Sequence, residues 1–200
     1  MNDWSNLDYL QNGTPRQFAA FRCLHRLGIL QELKEYRPVL VSTICIGIDI
    51  ESSDLDIICQ ISEPIKFTRQ ITTLYGERPN FNLFEVCAEN NSVVAEFEFE
   101  NFMIEVFGQP VVVEKQAAYR HLSVMARLLS AGGKAMRESI RELKRQGLKS
   151  EPAFAKYLGL SGDPYQVLLE LESISDDQLV EIVANNIPGN RNVNRTLKTG

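Results

Sequence analysis

The stretch "VLVSTICIGIDIESSDLDIIC", Val39 to Cys59, sets two acids, Asp54 and Asp56, one residue apart in an otherwise apolar run. Strand side chains alternate between faces. A strand from Asp54 to Ser62 therefore projects both carboxylates one way and Leu55, Ile57 and Cys59 the other. Like charges roughly 7 Å apart along one face repel each other. A divalent cation offsets that repulsion, and magnesium favours one or two carboxylates completed by water and substrate phosphates. The plainer alternative is a wet strand start that follows the Glu51-Ser52-Ser53 turn.

Upstream, the β-branched, apolar segment 38–48 is bounded by Pro38 and reads as a strand. Before it, "TPRQFAAFRCLHRLG" (14–28) reads as a helix, with Thr14 as N-cap and Pro15 at the first helical position. Phe18, Phe21, Leu24 and Leu27 (or Ala20, Leu24 and Leu27) form its core-facing stripe, and Gly28 ends it. Leu30, Leu33 and Tyr36 carry a shorter continuation. Downstream, Ser62 caps a helix over 63–76 whose stripe is Ile65, Thr68, Ile71 and Leu74, ending at Gly76. Three further strands, 81–89, 92–100 and 102–109, are separated by Asn90-Asn91 and Glu100-Asn101, polar breaks of the hairpin kind. In the middle one, Val93, Ala95, Phe97 and Phe99 alternate with Val94, Glu96, Glu98 and Glu100, giving one buried and one wet face. After Pro110 the pattern is helical, and Gly132-Gly133 stops the first helix.

This order predicts an α+β fold: a mixed sheet flanked by helices, with a C-terminal helical subdomain. Residues 1–37 form an N-terminal helical segment packing on the sheet, 38–113 the sheet core, and 114–187 the helical subdomain. Residues 188–200, rich in Asn and lightly basic, read as a flexible tail.

A third acid stands apart from the surface charges. Glu105 lies in "NFMIEVFG" (101–108), where Ile104 and Val106 face one way and Met103 and Phe107 share its own face. An acid in a strand that is apolar on both faces is costly unless something pairs with it. Glu96 and Glu98 belong to a strand with a solvated face and need no such partner. Together, Ser42-Thr43 upstream, Asp54 and Asp56, and Glu105 downstream resemble the nucleotidyltransferase superfold related to DNA polymerase beta. Its hallmark is a small-residue pair ending one strand, Asp-x-Asp on the next, and a third acid on a later strand. Ser42 stands where glycine is usual, and Glu105 where aspartate is commoner. A closer likeness covers most of the chain. "GIDIESSDLDIIC", "QAAYRHL" and "GLKSEPAFAKYLGLSGDPYQVLL" are similar to recurring stretches of an uncharacterised bacterial family catalogued as domain of unknown function 4269.

The resemblance implies a nucleotidyltransferase-like sheet that binds a nucleoside triphosphate and Mg2+. Asp54, Asp56 and Glu105 would be the catalytic metal ligands, and Ser42, Thr43 and Ser53 the nucleotide-binding donors. A nucleotide would pass to a small-molecule or protein acceptor. The rival expectation is a non-catalytic module that keeps the fold for nucleotide sensing or protein contact.

Bulk properties narrow the partners. The chain has 200 residues, 44% hydrophobic and 24% charged, with a net charge of −5. That balance argues against coating nucleic acid by counterion release. Cys23, Cys45, Cys59 and Cys87 lie far apart in apolar runs, with no C-x-x-C pair, and read as buried free thiols in a reducing cytoplasm. Neither a secretory signal nor an apolar run near the ~20 residues of a membrane span is visible, so a cytoplasmic protein is expected. Arg137, Arg141 and Arg145 share a helix face, but Glu138 and Glu142 lie beside them, and a solvated face is the expected reading. Lys66 and Arg69, three apart on one helix, read as surface charges, and His25 and His121 as structural.

Overall fold

The computed structural model describes residues 4–86 and 91–186. The chain divides into two compact units, one up to Tyr119 and one from Arg120. Cys87, Asn90 and the segment 188–200, for which a strand residue, a turn and a tail are expected, lie outside the described residues.

The first unit is built on a five-stranded mixed sheet: β1 (Val39–Leu40), β2 (Leu55–Gln60), β3 (Asn82–Val86), β4 (Ser92–Phe99) and β5 (Phe102–Gln109), in the order β1-β2-β5-β4-β3. Only β2 and β5 run parallel. The β4–β5 hairpin closes through Glu100 and Asn101, both at positive φ (47° and 65°), which is the two-residue turn whose twist matches paired strands. Alternation along β4 holds as expected: Val93, Ala95 and Phe97 are fully buried, while Val94 and Glu96 are half-exposed and Glu98 is exposed.

The helix α1 (Pro15–Leu27) starts in a capping box, Thr14 accepting from the Gln17 amide while the Gln17 side chain accepts from the Thr14 amide. Gly28, left-handed at φ 68°, ends it. Its buried stripe is Ala20, Cys23, Leu24 and Leu27, with Phe18 on the exposed side. Of the two expected stripes, the one through Ala20 is the one seen. A short α2 (Ile29–Glu32) and a 3-10 turn to Tyr36 follow, burying Ile29, Leu33 and Tyr36.

Two local expectations are corrected. The strand expected over 38–48 is only two residues long: after Leu40 the chain folds back into a 3-10 turn, Thr43–Ile46, closed by left-handed Gly47. Amides of Cys45, Gly47 and Ile48 bond carbonyls three to five residues back, so they are spent locally rather than in a ladder. The helix α3 (Pro64–Tyr75) has Glu63 at its N-cap position, with Pro64 opening the helix. Its buried stripe is Phe67, Ile71 and Tyr75, and Ile65 is 69% exposed. The aromatic residues take the core side because Tyr75 stacks on Phe97 at 4.7 Å and Phe67 meets Tyr36 edge-on at 4.8 Å. Gly108 leaves room for that packing, since a Cβ there would lie 2.7 Å from the Phe67 ring. One sheet face, carrying Leu55, Ile57, Cys59, Val93, Ala95, Phe97, Ile104 and Val106, is thereby sealed.

The second unit is helical. The helix α4 (Ala117–Arg145), which begins just before the unit boundary, is broken at Gly133, whose φ 61°, ψ −152° only glycine adopts freely. Its buried stripe beyond the break is Met136, Ile140 and Lys144, and Leu143 is only half-buried. The remaining helices are α5 (Ser150–Leu158), α6 (Pro164–Glu170, capped by Asp163) and α7 (Asp176–Asn186). Arg127 pairs with Asp176 at 2.7 Å and donates to the carbonyls of Glu172 and Ile174, and Arg120 grips Glu172 through two nitrogens. His121 is buried, with Nε2 donating to the Tyr165 carbonyl at 3.0 Å and Nδ1 3.7 Å from Glu151. That is the structural role its sequence context suggests.

Candidate functional site

The open sheet face carries the acids. Asp56 on β2 is level with Glu105 on β5. Glu105 is level with Glu96 on β4, and Glu96 with Asn82 on β3. Register partners share a face, so a row Asp56–Glu105–Glu96–Asn82 crosses four strands at steps of about 4.8 Å. Asp56, Glu105 and Glu96 are all half-exposed. Two residues along the strands the next row on this face, Ile58–Phe107–Val94–Phe84, is apolar. The parallel pairing of β2 with β5 thus brings together two acids 49 positions apart in the chain.

Asp54 is exposed and precedes the first ladder residue, Leu55. Its main chain is fastened from both sides. The Ser42 hydroxyl donates to the Asp54 carbonyl, and Arg16 Nη2 donates to the Ser53 carbonyl at 3.0 Å. The Val41 amide donates to the Asp56 carbonyl at 2.8 Å, extending the β1–β2 pairing across this point. Ser42 is fully buried, and its single hydroxyl proton is committed to Asp54. Thr43, half-exposed, opens the 3-10 turn. Ser53 closes a tight turn with Ile50: its amide donates to the Ile50 carbonyl, and its Oγ accepts from the Ile50 amide at 2.9 Å. A hydroxyl that accepts in this way keeps its own proton to donate.

Three residues of this neighbourhood escaped the sequence reading. Glu96 reads as a solvated strand residue, and only the β4–β5 register puts it beside Glu105. Asp49 is 6% exposed between Ile48 and Ile50 and forms an ion pair with Arg16 at 3.2 Å. An acid embedded among isoleucines carries the same signal that singles out Glu105. Arg16 in the first turn of α1 offers no local signal at all, because its partners Asp49, Ser53 and Phe102 are all distant in sequence.

The acid row also colours its surroundings. Burial pushes the Cys45 thiol up to about 12, with a hydrogen bond to Tyr9 acting against the shift and the Asp56 charge adding to it. Cys23, Cys45 and Cys59 are buried free thiols, as expected. Among the described residues there is no group of three or more His, Cys, Asp or Glu side chains placed to hold a metal ion, so Asp54, Asp56 and Glu105 are not gathered into one such group. Asp56 and Glu105 are the two carboxylates that the register sets side by side, hard oxygen donors of the kind magnesium takes alongside water and phosphate. Among the described residues no helix is long and apolar enough to cross a membrane.

Residues 22–171 match the family described as Domain of unknown function (DUF4269). The chain belongs to this family. The match spans β1 to β5 and runs on through α6, so it includes Asp54, Asp56, Glu96 and Glu105 while beginning after Arg16. Neither the curated proteins nor the solved structures contain a match.

Proposed function

We propose that this DUF4269 chain is a nucleotidyltransferase-like protein that binds a nucleoside triphosphate with Mg2+ and passes its nucleotidyl group to a hydroxyl-bearing acceptor. The observation that carries the reading is the register of β2 against β5, which sets Asp56 and Glu105 side by side on a half-open sheet face. Two carboxylates in that relation repel by ~1–3 kcal/mol at effective dielectric constants between water and a protein surface. A bound cation would offset that repulsion. Asp54, exposed at the strand's entry, would be the further acid this reading uses.

Asp54 and Asp56 would hold Mg2+ against the triphosphate, and Thr43 and the Ser53 hydroxyl would donate to phosphate oxygens. When bound, the ion neutralises phosphate charge and favours the departure of pyrophosphate. Glu105 would accept the acceptor's hydroxyl proton as its oxygen bonds to the α-phosphorus and the bond to the β-phosphate oxygen breaks. Ser42 serves the site by fastening Asp54.

A thermal-shift panel of ATP, GTP, CTP and UTP with and without Mg2+ tests this. At a hundredfold excess over Kd, ligand binding stabilises by about 2.7 kcal/mol. For a chain of this size that is roughly 5–10 °C. The shift should require Mg2+ and vanish in Asp56→Asn; equal responses of wild type and Asp56→Asn would end the metal-site reading. A second reading, a non-catalytic nucleotide sensor, is favoured by the committed hydroxyl of Ser42. It predicts the same Mg2+-dependent shift with no pyrophosphate released.

A further inference from the structure

We propose that Arg16 is the positioning residue of the acidic face, holding both acid-bearing strands at their point of entry. The inference rests on the functional reading above. Arg16 makes three contacts at once. It pairs with buried Asp49 at 3.2 Å, donates to the Ser53 carbonyl at 3.0 Å, and lies over the Phe102 ring at 4.9 Å from its centroid. Each contact falls on a different part of the site. Asp49 immediately precedes the Ile50–Ser53 turn that leads into β2, Ser53 immediately precedes Asp54, and Phe102 is the first residue of β5, which carries Glu105.

The need for such a clamp follows from Asp54. It precedes the ladder, so strand pairing does not set its position. Its main chain carries two tethers, its own carbonyl held by Ser42 and the preceding one by Arg16. Arg16 is itself well anchored. It occupies the first turn of a helix fixed by a capping box, and its neighbour Gln17 donates to the Ile44 carbonyl at 2.8 Å, locking the helix start to the turn after β1. A planar guanidinium can engage a carboxylate, a carbonyl and a ring face together, whereas an ammonium on a flexible stem cannot. Arg16→Lys therefore keeps the charge opposite Asp49 and loses the geometry.

The test uses the full-length chain, Mn2+ alone as the probe with its free-ion signal read by electron paramagnetic resonance, and amide hydrogen exchange of the same samples. Arg16→Lys should weaken Mn2+ binding by about tenfold or more, as loss of an outer-shell support does. It should also speed exchange of the Ser53 amide by about tenfold, the loss of one charge-assisted hydrogen bond, with β4 amides unchanged. Arg26→Lys, on the same helix but paired at the surface with Glu100, should do neither. Unchanged affinity and unchanged Ser53 exchange in Arg16→Lys overturn the inference. Should wild type bind no Mn2+, the metal reading falls, and Ser53 exchange alone then decides for or against the clamp. If Arg16→Lys does not fold, Asp49→Asn reads the clamp from its other end, with faster Ser53 exchange supporting it and wild-type exchange refuting it.

Discussion

Replacing Gly108 by alanine places a methyl group on the sealed face of β5, 2.7 Å from Phe67 Cε1 and 3.0 Å from Ile61 Cγ2. Neither neighbour can retreat cheaply. Phe67 is fully buried and already meets Tyr36 edge-on at 4.8 Å, and Ile61 is 2% exposed. Overpacking of this kind costs ~1–3 kcal/mol. With a urea slope of ~1–3 kcal/mol/M, the midpoint should fall by roughly 1 M. Trp4 is the chain's single tryptophan; it is buried in the unit that holds the sheet and packs edge-on to Tyr9, so its fluorescence follows that unit. Phe67→Leu in the same chain should recover part of the loss, with a coupling of ~1 kcal/mol between the two sites. A midpoint within about 0.2 M of wild type for Gly108→Ala, or strict additivity in the double variant, would show that α3 does not press on β5 as described.

Other outcomes follow from single features. Asn101→Gly should stabilise the first unit by ~0.5–1 kcal/mol in the same urea melt, because φ 65° at the second position of the turn costs a residue with a Cβ and suits glycine. Burial pushes the thiols of Cys23, Cys45 and Cys59 up to about 12. In a Cys87→Ser background all three should resist alkylation at pH 8 until denaturant is added, and rapid native labelling would contradict their placement. Hydrogen bonds from Arg120 hold the Glu172 carboxyl below the usual carboxylate range. A depressed folded-state value contributes stability above the unfolded value and loses it as pH falls through the folded one. Thermal midpoints between pH 7 and pH 3 should therefore drop less in Glu172→Gln than in wild type, with a small difference because the pair is part-exposed and screened by salt.

The fold class was legible because its signals are local. Alternation of Val93, Ala95 and Phe97 with Val94, Glu96 and Glu98 marks a strand with one sealed face, and Glu100-Asn101 marks a tight hairpin. Thr14, Pro15 and Gly28 bracket a helix that runs in the structure from Pro15 to Leu27. Where several apolar stripes competed, local pattern was not enough. The aromatic pairing of Tyr75 with Phe97 and of Phe67 with Tyr36 chose the buried side of α3, leaving Ile65 in solvent. The segment 38–48 is rich in β-branched residues, yet it turns after Leu40 because amides of Cys45, Gly47 and Ile48 find carbonyls within the segment itself.

By itself, then, the sequence determined most of the strand and helix segments, the turn after Leu40 excepted, and that Asp54, Asp56 and Glu105 are acids in apolar company. Those properties depend on neighbours within a turn or a strand. Only the tertiary structure decided that β2 runs parallel to β5, that their register sets Asp56 beside Glu105 with Glu96 next in line, and that Arg16 reaches Asp49 and Ser53. A shift of one residue in that pairing would turn Glu105 to the sealed face while leaving every local pattern intact. Register between distant strands is set by how the whole sealed face packs, and that information is spread over the unit rather than written at the acids.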